Sequence, residues 1–460
     1  MNRPDGVAEN KMGVLPVKRL IITMSLPMMI SMLVQALYNI VDSIFVAWIN
    51  QPALTAVSLA FPMQNLMIAI GSGTGVGVNA MLSTSLGQKK FDKANSAANT
   101  GIFLAFCSFI LCMLIGIFGS RPFMLTQTDN PDVVNYGTTY ITIVMGASLG
   151  LFFQIMLERL LQSTGRTVFS MISQLTGAII NLILDPILIF GLLGLPKMGI
   201  AGAALATVIG QTTAACVGIF LNLKVNKEIK FSWKEILRPN SSAIGRIYAV
   251  GVPSILMMSI GSIMTYVLNK LLLTFSETAA TVFGVYFKLQ SFFFMPVFGM
   301  NGGIIPVLAY NYGAQKRKRI DETLRFGVIL AVSIMLFGAL IFEIFPGTLL
   351  DMFHADGAMK KIGIPALRII GIHLPFAAVA ISLGSVFQAF SKSIYSLIIS
   401  VCRQLVVLLP AAWILAKVTG NLDCVWFAFI IAEVTSFTLS IVFFRIVYRQ
   451  VVAPIPVKEE

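Results

Sequence analysis

Long apolar stretches separated by short polar connections occupy nearly the whole chain. Each stretch reaches or exceeds the ~20 residues with which a helix crosses the hydrocarbon of a bilayer. The stretches are apolar all round, whereas strands of a membrane barrel alternate between apolar and polar positions. The pattern therefore predicts a polytopic helical membrane protein. The predicted spans are 20–48, 54–82, 94–118, 132–157, 168–193, 199–222, 244–272, 279–307, 323–345, 360–386, 393–416 and 424–446.

The chain repeats itself, because residues 16–220 are echoed by residues 242–446 at an almost constant offset of 226. Matched pairs include Pro27 with Pro253, Phe61 with Phe287, Gln64 with Gln290, Gly73 with Gly299, Gly77 with Gly303, and Gly87 with Gly313. Each copy holds an even number of spans, so both copies start on the same side of the membrane. We expect an all-α fold of twelve transmembrane helices in two six-helix lobes, related by a pseudo-two-fold axis along the membrane normal. The predicted parts are an N-lobe (1–222), a linker (223–243) and a C-lobe (244–460).

Composition and charge support this interpretation. The 460 residues are 57% hydrophobic and only 12% charged, with a mean hydropathy of +0.86 and a net charge of +13. Of the 33 Lys and Arg residues, 25 fall in the termini and the even-numbered loops and six in the odd-numbered loops. Basic residues accumulate on the cytoplasmic side, so both termini are predicted there, in a bacterial plasma (inner) membrane. The positive charge thus indicates topology and no nucleic-acid partner.

Two predicted spans of the N-lobe carry a polar stripe that ends in an aspartate. The stripes are Gln35, Asn39 and Asp42 in the first span, and Gln174, Asn181 and Asp185 in the fifth. A charge in hydrocarbon costs at least about 2.5–3.5 kcal/mol, so such residues need a reason to be there. Carboxylate and amide oxygens suit H⁺ or a hard cation, and Na⁺ could be held by Asp42, Asp185 and Asn181. The structural alternative is that each aspartate hydrogen-bonds a neighbouring helix.

The C-lobe lacks both acids, since Leu268 and Ala411 take the places of Asp42 and Asp185. Within its spans it carries other polar residues, namely Lys270, Lys288, His373 and Glu433. Lys288 is expected either to face the cleft between the lobes or to pair with Glu433. His373 and Glu433 are candidates for a second proton site.

Contact with an amphiphilic substrate needs aromatic, apolar and polarizable surface. The stretch QSFFFMP (290–296) offers such surface, and lipid-facing or core packing is the alternative. The candidate cleft residues are Tyr38, Lys288, Gln290, Phe293 and Met295.

Several ordered motifs resemble the MATE family of multidrug and toxic compound extrusion transporters. They are YNIVDSIFV (38–46), GSGTGVGVNAMLSTSLGQKK (71–90), LLQSTGRT (160–167), NLILDPILIFGL (181–192) and GIAGAALAT (199–207). The resemblance implies a two-lobe exporter driven by inward flow of H⁺ or Na⁺, in the branch with its coupling-ion site in the N-lobe. Its functional residues match Asp42, Asn181 and Asp185, its first-helix hinge matches Pro27, and its sixth-helix hydroxyl matches Thr207. Another branch has acids in helices seven and ten, where this chain offers Lys270 and His373.

The predicted function is a secondary antiporter that exports amphiphilic, cationic compounds in exchange for H⁺ or Na⁺, working as a monomer in the bilayer. The rival is a flippase for lipid-linked saccharides or other amphiphilic lipids, for which a cationic cleft would be needed. An intramembrane enzyme is not expected, because the chain has only two histidines and neither has an acidic or nucleophilic partner in local spacing. No cofactor is expected besides the coupling ion.

Overall fold

The computed structural model describes residues 10–353 and 355–456, and this part of the chain is helical and contains no β-strand. Ten helices are long and apolar enough to cross a membrane alone, and two bent helix pairs each make one further span. The twelve spans are α1 (Val17–Ala47), α2 (Gln51–Gly87), α3 (Phe91–Gln127), α4 (Pro131–Gly146 and Leu149–Ser163), α5 (Thr167–Phe190), α6 (Ile200–Val225), α7 (Ser241–Leu273), α8 (Glu277–Gly313), α9 (Arg317–Ile344), α10 (Gly357–Gly371 and Leu374–Ala389), α11 (Ser393–Thr419) and α12 (Leu422–Val447). The predicted twelve-helix fold is confirmed.

Most helices extend beyond the predicted spans. The helix α3 ends at Gln127 and not near residue 118, and α8 continues to Gly313 past residue 307. Hydropathy marks the part of a helix that lies in hydrocarbon, whereas its ends are set by capping. The side chains of Asn50 and Ser276, for example, accept hydrogen bonds from the backbone N–H groups of Ala53 and Ala279 at the starts of α2 and α8.

Three irregularities were not predicted. The two segments of α4 meet at an angle of 47°, and those of α10 meet at 48°, around Ala147 and His373, which are 226 residues apart. Pro375 is the second residue of the second segment of α10 and supplies no backbone N–H, which helps to explain that bend. The helix α11 contains a π-helical stretch, Cys402–Leu408. Such stretches frequently occur at functional sites.

The lobes meet along two helix pairs, α1 with α8 and α2 with α7. Glycines allow the backbones to touch. A Cβ at Gly77 would lie 2.1 Å from the carbonyl oxygen of Ile247, and one at Gly303 would lie 2.8 Å from that of Met24. One face of each helix approaches its partner too closely for any side chain.

The same contact recurs at the ends of α2 and α8. A Cβ at Gly87 would lie 2.0 Å from the carbonyl oxygen of Tyr310, and one at Gly313 would lie 2.2 Å from that of Thr84. These pairs are 226 residues apart in sequence, so they are related by the repeat. We call this set of glycine contacts the glycine seam. It lies at the end of the molecule where the basic loops after α2 and α8 are found, which we call the basic end.

Above the seam the same helix faces are exposed. At 100° per residue, Lys288 lies 20° from Gly299 around α8, and Pro62 lies 20° from Gly73 around α2. Both residues are exposed, whereas Gly73 and Gly299 are buried. The lobes therefore separate toward the end opposite the basic loops and leave a cleft there.

A strap of residues before α1, Asn10–Leu15, crosses the seam at the basic end. On the N-lobe side, the Asn10 amide donates to both carboxylate oxygens of Glu228 at 2.9 Å and to the carbonyl oxygen of Thr164 at 3.0 Å. On the C-lobe side, the Arg319 guanidinium donates to the carbonyl oxygens of Met12 and Leu15 at 3.1 and 2.7 Å. The strap thus ties the two lobes together.

Candidate functional site

Asp42 of α1 and Asp185 of α5 lie side by side inside the N-lobe. Asp185 is fully buried and Asp42 is 8% exposed. Their carboxyl groups are close enough to interact electrostatically. Neither aspartate forms an ion pair with a basic side chain of the described residues. Two acids placed together without a cation cannot both stay ionised at low cost.

Amide and hydroxyl groups complete the site. The Asn181 amide, one turn before Asp185, donates to the Thr207 hydroxyl of α6 at 3.2 Å. That hydroxyl donates to the carbonyl oxygen of Ala203 at 3.1 Å. Asn181 Oδ1, Asp42 Oδ1 and both carboxylate oxygens of Asp185 are buried and have no hydrogen-bond partner among the described residues. These oxygens form a ready set of ligands for a proton or a small cation.

Two tyrosines adjoin the acids. Tyr38 of α1 and Tyr140 of α4 are near both aspartates, and their hydroxyls approach that of Thr207. Tyr140 also accepts a hydrogen bond of 2.9 Å from the Gln64 amide. Sequence reasoning missed Tyr140 and Gln64. A tyrosine inside a predicted span was the available signal, because its hydroxyl needs a polar partner when it is buried. Tyr38 was expected in the substrate cleft and lies near Asp42 and Asp185.

A cavity of ≈ 80 Å³ adjoins the acids within the N-lobe. Its polar lining includes Gln35, Gln154, Gln174, Asn181 and Thr207. The Gln174 amide donates to Gln35 Oε1 at 3.0 Å and so joins α5 to α1. Asn39, the third member of the predicted stripe, is exposed and does not line this cavity. The stripe therefore divides between the cavity and an exposed surface.

The predicted cleft residues do not lie together. Lys288 is exposed on the cleft face of α8 and forms no ion pair with Glu433, whose carboxylate instead lies 3.3 Å from Arg403. Gln290 points into the C-lobe, where Tyr286 donates to it at 2.7 Å. Gln290 lies 180° from Gly299 around α8, so it faces away from the side of the helix that carries Lys288.

Phe293 also lies apart from Lys288. It packs edge-on against Phe342 of α9 at a centroid distance of 5.6 Å, inside the C-lobe. Phe292, its neighbour in sequence, is 37% exposed and shares the cleft face of α8. Met295 is half-buried. A run of three phenylalanines cannot reveal from sequence alone which of them faces the cleft.

Pro27 lies buried inside α1, which continues as one helix from Val17 to Ala47. Proline removes a helical hydrogen bond, so α1 is weakest near this residue. The hydroxyl of Ser25, two residues earlier, donates to the carbonyl oxygen of Met300 in α8 at 3.2 Å. The predicted hinge thus lies where α1 contacts α8 of the other lobe.

A two-lobe helical bundle with buried acids in one lobe and a cleft between the lobes defines a membrane transporter. The MatE family model matches residues 27–187 and again residues 253–414, and the two matches begin 226 residues apart. The chain belongs to the MatE family, whose members are multidrug efflux transporters. The predicted resemblance is confirmed.

Named relatives agree with this assignment. The multidrug export protein MepA of Staphylococcus haemolyticus is 25% identical over 415 residues, which cover 90% of each chain. MepA of a Staphylococcus aureus strain is 24% identical over 420 residues, or 91% of each chain. Among solved structures, an outward-facing conformation of a multidrug resistance MATE family transporter has a TM-score of 0.90 at 23% identity. That alignment covers 97% of this chain and 99% of the other.

Proposed function

We propose that this protein is a secondary antiporter that exports amphiphilic drug-like compounds in exchange for H⁺ or Na⁺. The observation that carries the proposal is the pair of buried, unpaired acids, Asp42 and Asp185, beside Asn181 and Thr207. Each carboxylate is energetically unfavourable in an apolar helix unless it binds a cation during the transport cycle. The names of the relatives support drug export over the flipping of lipid-linked saccharides.

The cycle follows from the geometry of the seam and the cleft. With the basic end closed and the cleft open, a cation enters from the outer side and binds between Asp42 and Asp185. Binding neutralises part of their charge, so α1 can repack near Pro27, and the substrate leaves the cleft. The glycine seam then opens, the ion is released at the basic end, and a new substrate enters. A membrane potential of 100 mV supplies about 2.3 kcal/mol for each charge that crosses.

Membrane placement and substrate chemistry complete the proposal. Both termini lie in the cytoplasm, and the protein works as a monomer in the bacterial plasma membrane. The exposed Phe292 gives the cleft wall an aromatic surface for the apolar part of an amphiphile. The cationic part would contact the polar side chains of the N-lobe, on the side of Asn39 and Asp42.

The decisive experiment is efflux of a cationic dye from proteoliposomes, driven separately by a pH gradient and by a Na⁺ gradient. We expect one gradient to drive efflux, and Asp42→Asn and Asp185→Asn each to abolish the driven component. Asp351→Asn is the matched control, because Asp351 is an exposed residue that pairs with Lys360 away from the cleft. Ion-driven efflux at the wild-type rate in both aspartate variants would refute the mechanism.

A further inference from the structure

A second buried polar cluster lies in the C-lobe, and the proposed antiport cycle does not use it. Its five members come from four helices: Tyr286 and Gln290 from α8, His373 from α10, Arg403 from α11 and Glu433 from α12. Tyr286, His373 and Glu433 are each at most 4% exposed. Arg403, with 27% of its side chain exposed, is the open edge of the cluster.

Two of the unpredicted helix irregularities coincide with this cluster. His373 is the residue at which α10 bends, so its side chain leaves the helix between two segments. Arg403 is the second residue of the π-helical stretch in α11. An extra residue in a helical turn redirects the side chains that follow it. The bend in α10 and the π-helical stretch in α11 therefore place His373 and Arg403 beside the same carboxylate, that of Glu433.

The hydrogen bonds fix the protonation of the imidazole. The Tyr286 hydroxyl donates its only hydrogen to Gln290 Oε1 at 2.7 Å. Its oxygen is also 2.9 Å from His373 Nε2, and with Gln290 Oε1 as the acceptor of the Tyr286 hydrogen, that oxygen accepts a hydrogen from the ring nitrogen. Neutral His373 therefore carries its hydrogen on Nε2 and presents a bare lone pair on Nδ1.

That lone pair faces an acid. His373 Nδ1 is 3.7 Å from Glu433 Oε2 and has no hydrogen-bond partner among the described residues. Two buried acceptors that face each other repel unless a proton lies between them. The other carboxylate oxygen of the acid, Glu433 Oε1, also lacks a partner there. The group that balances the carboxylate is Arg403, whose Nη1 lies 3.3 Å from Glu433 Oε2.

The remaining surroundings of His373 are apolar. The ring of Phe429 stacks on the imidazole at 6.1 Å, and Phe294 lies at 6.3 Å. The titratable and charged groups that face His373 are thus Tyr286 from α8, Arg403 from α11 and Glu433 from α12. Apolar groups thus surround the imidazole except on the side of these polar residues, where a single proton could be bound.

The repeat gives the cluster an equivalent in the N-lobe. At the offset of 226, Glu433 corresponds to Thr207 and Gln290 corresponds to Gln64. Thr207 accepts a hydrogen bond from Asn181, and Gln64 donates to Tyr140, which interacts with both aspartates. The two lobes therefore keep polar groups at matching depths of the same helices, although their chemistry has diverged.

We propose that His373 and Glu433 form a second proton-binding site, in which one proton is held between His373 Nδ1 and Glu433 Oε2. Arg403 positions the carboxylate, and Tyr286 with Gln290 fixes the tautomer of the ring. The proton comes from water and returns to it, so no other reactant is needed. Binding at this site is independent of the N-lobe acids, whereas its contribution to transport rests on the proposed antiport.

Nitrogen NMR of the imidazole tests the site directly, because the chain contains only two histidines, His354 and His373. A His354→Gln variant with ¹⁵N-labelled histidine, in lipid, leaves His373 as the single signal. We expect a neutral ring with its hydrogen on Nε2 near pH 8 and a doubly protonated ring as the pH is lowered to about 4, since burial and Arg403 oppose the charge that Glu433 favours. A ring that stays neutral throughout this range would overturn the proposal and leave a structural ion pair.

Variants locate the proton and separate this proposal from the antiport. Glu433→Gln should remove the doubly protonated signal from this pH range, and Glu433→Asp, which keeps the charge for Arg403, should weaken it. An unchanged signal in both would overturn the shared site. Asp42→Asn should leave the His373 transition unchanged while ion-driven flux is lost. If wild-type protein shows the His373 transition but no ion-driven flux, the antiport is contradicted and the proton site is not. If it shows ion-driven flux but no His373 transition, the proton site is contradicted and the antiport is not.

In transport, the Glu433→Asp variant gives the corresponding stoichiometric readout. If both lobes load protons, the number of protons moved per substrate should fall by about one in this variant under a pH gradient. A merely structural carboxylate would change the amount of folded protein and leave that ratio unchanged. An unchanged ratio in well-folded protein would overturn the role of the site in transport.

Discussion

The glycine seam predicts a conformational shift from the addition of a single methyl group. In Gly87→Ala, the new Cβ would lie 2.0 Å from the carbonyl oxygen of Tyr310 and 2.9 Å from the backbone nitrogen of Ala314. Carbon and oxygen normally approach no closer than about 3.3 Å. Both obstacles are backbone atoms, which cannot rotate away, so α2 and α8 must separate by roughly 1 Å.

This strain falls only on the conformation in which the basic end is closed. Overpacking of a well-packed contact costs about 1–3 kcal/mol. A conformational equilibrium would change by roughly 5–150-fold in favour of the state with the basic end open. Gly313→Ala should act in the same direction, since its Cβ would lie 2.2 Å from the carbonyl oxygen of Thr84.

Distances between spin labels would measure the shift. In a cysteine-free background, labels at the exposed positions Lys93 and Lys318 report on the basic ends of α3 and α9, one in each lobe. The alanine variants should increase the population with the longer distance. Gly284→Ala is the matched control, because Gly284 lies in α8 and its Cβ would meet no atom within 4 Å. Distance distributions that stay at wild type in Gly87→Ala and Gly313→Ala would refute the seam as the closing contact.

Three further predictions concern the strap and the coupling site. Asn10→Ala removes the amide that bonds to Glu228, so it should also populate the state with an open basic end, as the same spin labels would detect. An unchanged distribution would count against the strap. Burial raises the pKa of Glu228, so its contribution to stability is full below its ordinary pKa and is lost as the pH rises through the raised value. Thermal unfolding should therefore lose stability over that window in wild type and not in Glu228→Gln, and parallel curves would contradict this. Thr207→Val removes the acceptor of the Asn181 amide, at a cost of about 0.5–1.5 kcal/mol. The ion concentration that gives half-maximal flux should therefore rise about 2–13-fold, and flux should not be abolished. Half-saturation by the coupling ion at the wild-type value would show that the hydroxyl is not needed.

Sequence reasoning could predict the scaffold because membrane helices and duplication leave periodic signals. Apolar length locates a span, and an offset of 226 places Gly87 and Gly313 in equivalent positions before any coordinates exist. It also singled out Asp42 and Asp185, since ionisable residues are rare in such helices. The roles of these acids remain predictions, although the structure brings them together.

The remaining features depend on tertiary contacts that have no local signature. The side of α8 on which Gln290 or Phe293 lies is set by helix rotation, and one residue of register moves a side chain by 100°. The bend at His373 and the π-helical stretch around Arg403 determine which groups meet Glu433. Lys288 was an equally plausible partner for that acid by charge alone, and only helix packing decides between it and Arg403.

The two polar clusters differ in charge, and this difference predicts different roles for the two proposed sites. In the N-lobe, Asp42 and Asp185 form no ion pair with a described residue, so a bound cation would lower the net charge buried in the membrane. In the C-lobe, Arg403 already balances Glu433, so a proton added at His373 raises the buried charge. Loading of the first site therefore favours a compact, water-excluded lobe, and loading of the second opposes it. A transporter with both sites can couple two ion-binding steps to opposite changes in its lobes, although both lobes come from one ancestral unit.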